Sequence, residues 1–331
     1  MKLLLTLFAF LLAGCASFQQ SESEVYKRVS GGRLEKWLDL HEAAILHLPY
    51  AWAAVAAYQD ADDPKRSPLK ITSECPEPHE FLNSKGWILW EDLPLLRQKS
   101  TSDPESAVEK MRKYHLRAEV WANPKLGQVI VAFGGTAATS LQDWKANFRW
   151  FLKPFGTYDA YDVLTEVFVP LFVNAFERKQ NSPEGKWLSS AEVISVGHSL
   201  GGGLAQRFSY EINSKGGVPR VKNVFAFDPS PVSGKRGVEN WEKAANGLTI
   251  YRIYNRGEVL ASVRSLLALY EDPPEGQGQK WIDIRYKDGW SWKTLLPIGA
   301  IHAHAMFDLA CFLKQAAVRE KVNQASDATP K

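Results

Sequence analysis

Ser199 stands in the pentapeptide Gly197-His198-Ser199-Leu200-Gly201, and its flanks make it a candidate nucleophile. Before it, Val193-Ile194-Ser195-Val196 reads as a short buried parallel strand; after it, Leu204, Ala205 and Phe208 carry a helical pattern. Strand, sharp turn and helix is the setting in which a G-x-S-x-G serine is held up at a sheet edge, over the positive end of a helix. A serine hydroxyl is a poor nucleophile until a base takes its proton and an acid orients that base. A tetrahedral oxyanion then needs two N–H donors. The chain must therefore supply a histidine, a carboxylate and a donor loop.

Of the seven histidines, only His302 and His304 lie downstream of the serine unit. His304 opens the pattern His-Ala-Met-Phe-Asp-Leu and is the preferred base, with His302 the close competitor. His198 adjoins the serine, and its side chain points away from where a base must stand. Two carboxylates follow strands: Asp228 after Val224-Phe225-Ala226-Phe227, and Glu258 after Ile250-Tyr251-Arg252-Ile253-Tyr254. Asp228 precedes a proline and also suits a turn; Glu258 also suits a helix cap. Position alone leaves that choice open. For the oxyanion, the N–H of Leu200 is one donor, and Phe133-Gly134-Gly135-Thr136 is the loop from which Thr136 supplies the second.

The 331 residues are 45% hydrophobic and 23% charged, enough for one large α/β domain without a second. A net charge of +3 and the lack of a basic block interleaved with aromatics exclude a nucleic-acid partner. Met1-Lys2 and the apolar run Leu3–Leu12 are too short to span a bilayer and read as a secretory signal. Leu12-Ala13-Gly14-Cys15 resembles the lipobox of bacterial lipoproteins. That resemblance implies cleavage after residue 14 and acylation of Cys15; Ala16 in the next position implies the outer membrane, with the lipid anchor as the membrane contact. Cys75 and Cys311 remain, open to a disulfide in an oxidising compartment or to a buried free thiol at Cys311. No C-x-x-C and no metal-spaced His/Cys cluster occurs, so neither metal nor cofactor is expected.

The chain then divides into a signal peptide (1–14), a polar tether (15–32), one α/β domain (33–321) with a helical, lid-like N-terminal region (33–115), and a tail (322–331). Arg33–Tyr58 reads as a long helix that Pro49 kinks or splits. The apolar knot around Trp87–Leu96 reads as a lid or, slightly better, as a satellite core. A helix at Glu105–His115 precedes a hairpin, Leu116–Ala122 and Gln128–Phe133, closed by Asn123–Gly127. Further helices fall at Leu141–Phe151, Asp159–Lys179, Leu260–Tyr270 and His302–Val318, strands at Val221–Phe227 and Leu248–Asn255, and a hairpin-like stretch at Lys280–Trp292. Strands alternating with helices around the serine unit imply an α/β sheet covered on both faces.

Val131-Ala132-Phe133-Gly134-Gly135-Thr136, Asp143-Trp144 and Gly197-His198-Ser199-Leu200-Gly201-Gly202 together resemble the class 3 lipases, the fungal-lipase-like group of α/β-hydrolases. The resemblance covers about 116–310. Its oxyanion loop commonly reads Phe-Arg-Gly-Ser/Thr, with Gly134 here in place of the arginine. Its acid follows a strand that Arg252–Val259 resembles, with Glu258 at the acid position. The resemblance therefore implies Glu258 over Asp228, and an enzyme that hydrolyses lipid carboxylic esters through an acyl-enzyme. A short-chain esterase or thioesterase, an acyl transferase, and an inactive lipid- or protein-binding lipoprotein are the alternatives.

Overall fold

The computed structural model describes residues 23–28, 34–58, 71–93, 106–135, 159–216, 218–230, 232–255, 278–286 and 305–327. Nine strands make one sheet: β1 Glu24–Arg28, β2 Leu34–Asp39, β3 Ile88–Leu89, β4 Arg117–Asn123, β5 Gln128–Gly134, β6 Glu192–His198, β7 Val221–Phe227, β8 Thr249–Asn255 and β9 Lys280–Tyr286. Their order is β2-β1-β9-β8-β7-β6-β5-β4-β3. The strands β5 to β9 are mutually parallel, and antiparallel pairs flank them on both sides.

The helices are α1 Leu40–Ala56, α2 Pro78–Ser84, α3 Ala107–Lys113, α4 Ala160–Val163, α5 Val169–Asn181, α6 Leu200–Lys215, α7 Trp241–Ala245 and α8 Met306–Asp327. Successive residues of the central strands feed opposite cores. Val129, Val131 and Phe133 of β5 join Phe168, Phe172 and Phe208 on one face. Ile130 and Ala132 join Trp52, Ala53 and Leu309 on the other. This two-sided burial is why β5 to β7 read as continuous apolar runs. The α/β class expected from the sequence is the one observed, a mixed sheet with helices on both faces. Among the described residues, no helix is long and apolar enough to cross a membrane.

Several local expectations change. Leu34–Asp39, read as the start of a helix, is β2; the helix begins at Leu40, where the Asp39 side chain caps it by accepting from the Glu42 N–H at 2.9 Å. The 15–32 segment read as a tether contains β1, which pairs with both β2 and β9. Helix α1 runs through Pro49 without splitting. In Asp159–Lys179, Pro170 is absorbed differently. A π turn over Leu164–Phe168 follows α4, so the proline falls in the first turn of α5, where its missing N–H matters least. Of Lys280–Trp292, read as hairpin-like, residues 280–286 form β9, parallel to β8 and antiparallel to β1, and 287–292 lie outside the described residues. The readings at Leu141–Phe151 and Leu260–Tyr270 lie outside the described residues, as do 94–96 of the apolar knot; Trp87, Trp90 and Leu93 within it are buried. Cys75 and Cys311 are joined, with Cα atoms 5.2 Å apart across 236 positions, tying the segment before α2 to α8.

One charged cluster holds the start of α2 to the sheet. His79 places Nε2 2.9 Å from Glu119 of β4 and Nδ1 3.1 Å from Glu77, and the Trp121 indole donates to the other Glu119 oxygen at 3.1 Å. An imidazole facing carboxylates through both nitrogens is best satisfied as the doubly protonated cation. Burial opposes that charge, yet the bond to Glu119, then its charge and the bond to Glu77, prevail and raise the His79 pKa. A raised folded-state pKa stabilises fully below the ordinary imidazole value, and the stability is lost as pH rises through the folded one. The stability gap between wild type and His79→Gln is therefore expected to be larger at pH 5.5 than at pH 9. Equal gaps in denaturant unfolding at both pH values would remove this role. His47 behaves oppositely: fully buried, with Nδ1 2.6 Å from the Tyr286 hydroxyl, it is driven down to about 3 by burial and stays neutral.

Candidate active site

The parallel strands all end at one edge, after Gly134, His198, Phe227, Asn255 and Tyr286. Ligand chemistry in open α/β sheets gathers outside the carboxyl ends of such strands. Ser199 lies there between β6 and α6, with φ 56° and ψ −121°. That conformation is costly for a residue with a Cβ and persists only where surrounding bonds over-determine it. Here its N–H donates to the Phe227 carbonyl at 3.0 Å, and its own carbonyl accepts from Gly202 at 3.0 Å and Ser230 at 2.9 Å. The side chain is partly exposed above the positive end of α6.

The turn requires close backbone approach. A Cβ on Gly197 would stand 2.1 Å from the Gly201 carbonyl oxygen, and one on Gly201 would stand 2.1 Å from the Phe133 carbonyl oxygen. The pair thus brings helix, nucleophile strand and the end of β5 together. Leu200, the expected first oxyanion donor, is the first residue of α6. The second, Thr136, lies outside the described residues, but the loop leading to it is in place. Gly135 sits against the Ser199 turn, and its carbonyl accepts from Arg117 Nη1 at 3.0 Å.

Asp228, the alternate acid, is wholly buried at the end of β7 with φ 39°. Its N–H donates to the Ile253 carbonyl at 2.7 Å, and its Oδ1 accepts from the Asn255 N–H at 3.3 Å. It therefore binds β7 to β8 one strand from Ser199. Glu258 follows the end of β8 in sequence; it, His302, His304 and Cys15 lie outside the described residues. Ser199, Leu200 and Asp228 are thus the expected site residues that the structure brings to one edge. His198 is buried with Nδ1 2.6 Å from the Tyr58 hydroxyl, engaged at the end of α1. Among the described residues, no group of three or more His, Cys, Asp or Glu side chains is arranged to hold a metal.

Sequence reasoning did not find Tyr58 or Arg117. Neither belongs to a local motif: Tyr58 is 140 positions from its partner His198, and Arg117 reaches Gly135 because β4 pairs Arg117 opposite Gly134. The unusual Gly134 was the available signal, since a residue without a side chain leaves room for a cross-strand neighbour.

No curated protein matches the chain. Among solved structures it is similar to a Rhizomucor miehei lipase–propeptide complex (12% identity, 77% of this chain and 73% of that one, TM-score 0.43). It is also similar to a fungal lipase–inhibitor complex (12% identity, 88% and 99%, TM-score 0.45). A third likeness is to an inhibited esterase B from Lactobacillus rhamnosis (11% identity, 86% and 99%, TM-score 0.34). Residues 130–267 match the family model for Lipase (class 3), a span that includes most of β5, the Ser199 turn, Asp228 and Glu258 and leaves out α1, His302 and His304.

Proposed function

We propose that the protein is a serine hydrolase of lipid carboxylic esters. The single observation that carries this reading is the strained, over-determined backbone of Ser199 at the carboxyl edge of the parallel strands, at the head of α6. The class 3 lipase match over the same residues supports it.

Ser199 Oγ attacks the ester carbonyl carbon while its proton passes to His304. The carbonyl oxygen becomes an oxyanion held by the N–H groups of Leu200 and Thr136. Collapse breaks the bond to the alcohol oxygen, which takes the proton from His304, and leaves an acyl-Ser199 ester. Water then repeats the cycle, giving its proton to His304 and releasing the carboxylic acid with Ser199 restored. Glu258 orients His304, with Asp228 as the alternate acid and His302 as the alternate base. The chemistry requires no metal or cofactor. Acylation of Cys15 anchors the enzyme at the outer membrane, beside its substrate.

The test is hydrolysis of p-nitrophenyl esters from acetate to palmitate by the full chain. A rate that rises with chain length is expected. A maximum at acetate or butyrate would favour the short-chain esterase, and no turnover by folded protein would remove the enzyme reading. Mass spectrometry of envelope-derived protein is expected to show acyl chains on Cys15, absent in Cys15→Ala; an unmodified N-terminus in the wild type would remove the anchor.

A further inference from the structure

The end of α1 lies outside the span that matches a known family, yet it meets the candidate site at two consecutive residues. A Cβ on Gly134 would stand 2.6 Å from the Ala57 carbonyl oxygen. A Cβ on Gly135 would stand 2.4 Å from the Tyr58 hydroxyl, 2.6 Å from the His198 carbonyl oxygen and 3.1 Å from Ser199 Cβ. Gly135 is therefore packed where three pieces of chain converge: the end of α1, the nucleophile turn and the loop that leads to Thr136. The Tyr58 hydroxyl is the polar atom at that junction. It lies 2.6 Å from His198 Nδ1, a short hydrogen bond, and 3.5 Å from the His198 carbonyl oxygen. Arg117, buried on β4, donates to the Gly135 carbonyl at 3.0 Å.

Two successive glycines leave a loop with little intrinsic preference for one conformation. An oxyanion donor is useful only when it is held close to its final geometry, and misplacement by about 1 Å costs roughly a hundredfold in rate. Something outside the loop has to hold it against Ser199. We propose that Tyr58 is a positioning residue of the active site: its hydroxyl, bound to His198 and seated against Gly135, fixes Gly135, the residue before Thr136, relative to the nucleophile turn, with the Arg117 bond to the Gly135 carbonyl as a second hold. Tyr58 acts through His198 and Gly135 and takes no part in bond making. The inference rests on the hydrolase reading given above.

The experiment uses the full chain with p-nitrophenyl esters and a fluorophosphonate probe of serine reactivity. Tyr58→Phe keeps the ring and removes only the hydroxyl. A fall in kcat of roughly 10- to 100-fold is expected, with KM within about twofold of wild type and a parallel fall in labelling rate. A purely structural hydroxyl would lower the unfolding midpoint and leave kcat unchanged well below it. His198→Leu should lose as much as Tyr58→Phe, and the double variant should lose no more than either single one, because the two side chains act as one unit. His198→Asn, whose amide can meet the hydroxyl near the Nδ1 position, should recover at least about fivefold over His198→Leu.

A wild type that neither turns over ester nor labels at Ser199 overturns the hydrolase reading and this inference with it. A labelled wild type with Tyr58→Phe at the same kcat and labelling rate overturns the inference alone. If Tyr58→Phe does not fold, the His198→Leu and His198→Asn pair decides the matter, and equal rates for the two overturn it.

Discussion

Ser199→Ala is expected to lose at least about 10⁴-fold in kcat on any ester the wild type hydrolyses, with the unfolding midpoint nearly unchanged. The large kinetic effect follows from removing the attacking oxygen itself. The small stability effect follows from the way the turn is held. The strained φ of 56° is maintained by the bonds of the Ser199 N–H to Phe227 and of its carbonyl to Gly202 and Ser230, and alanine keeps all three. Within the same series, Glu258→Gln should cost roughly 10² to 10⁴ in kcat with little change in stability, since an acid that only orients a base is lost without unfolding the sheet. Asp228→Ala, which removes the acceptor oxygen that asparagine would keep, should act the other way. Its carboxylate is wholly buried and accepts from the backbone of Asn255, so its loss falls first on the β7–β8 junction and the unfolding midpoint. Steady-state kinetics beside thermal unfolding separate these outcomes. A Ser199→Ala protein retaining a tenth of wild-type kcat would end the nucleophile assignment, and a reversed Glu258/Asp228 pattern would transfer the acid role to Asp228.

Gly201→Ala should produce a large loss of stability from a single methyl group. The added Cβ would meet the Phe133 carbonyl oxygen at 2.1 Å and the Gly134 carbonyl carbon at 2.8 Å, both backbone atoms of a strand paired on each side. No side chain can rotate away. Relief requires α6 to part from β5, and overpacking of this kind costs about 3 kcal/mol or more. Because β5 runs into Gly135, the same displacement carries the oxyanion loop away from Ser199, so ester hydrolysis should fall together with stability. Gly127→Ala is the control. It lies at the tip of the β4–β5 turn with φ 63° and open space around it, so only backbone strain of about 1–2 kcal/mol is expected, and no loss of activity. Equal stability of the two variants in denaturant unfolding would refute the close-approach argument.

Much of the centre of this fold is legible in the chain. Val221–Phe227 is β7 in both readings, and the β4–β5 hairpin closes over 124–127 as its turn residues imply. Central parallel strands are short apolar runs because both their faces are covered, and such runs stand out against any background. The edge of the sheet is not legible in the same way. In β1, Glu-Val-Tyr-Lys-Arg, only Val25 is buried, which leaves no alternation to detect. In β2, Leu34, Trp37 and Leu38 recur at a spacing that also suits a helix, and only the pairing with β1 makes the segment a strand.

The candidate site divides along the same line. Ser199 and its two glycines are determined locally, because a strand that must turn at once into a helix needs particular residues within five positions. The sequence alone determined that turn, the α/β class and the pattern shared with class 3 lipases. The tertiary structure decided the long-range contacts: the Cys75–Cys311 bridge between the segment before α2 and α8, the His79 cluster between α2 and β4, Arg117 on the Gly135 carbonyl, and Tyr58 on His198. These partners are 236, 40, 18 and 140 positions apart. Contacts at such separations leave no periodic trace in the chain, since they depend on where whole strands and helices pack and not on the residues beside them.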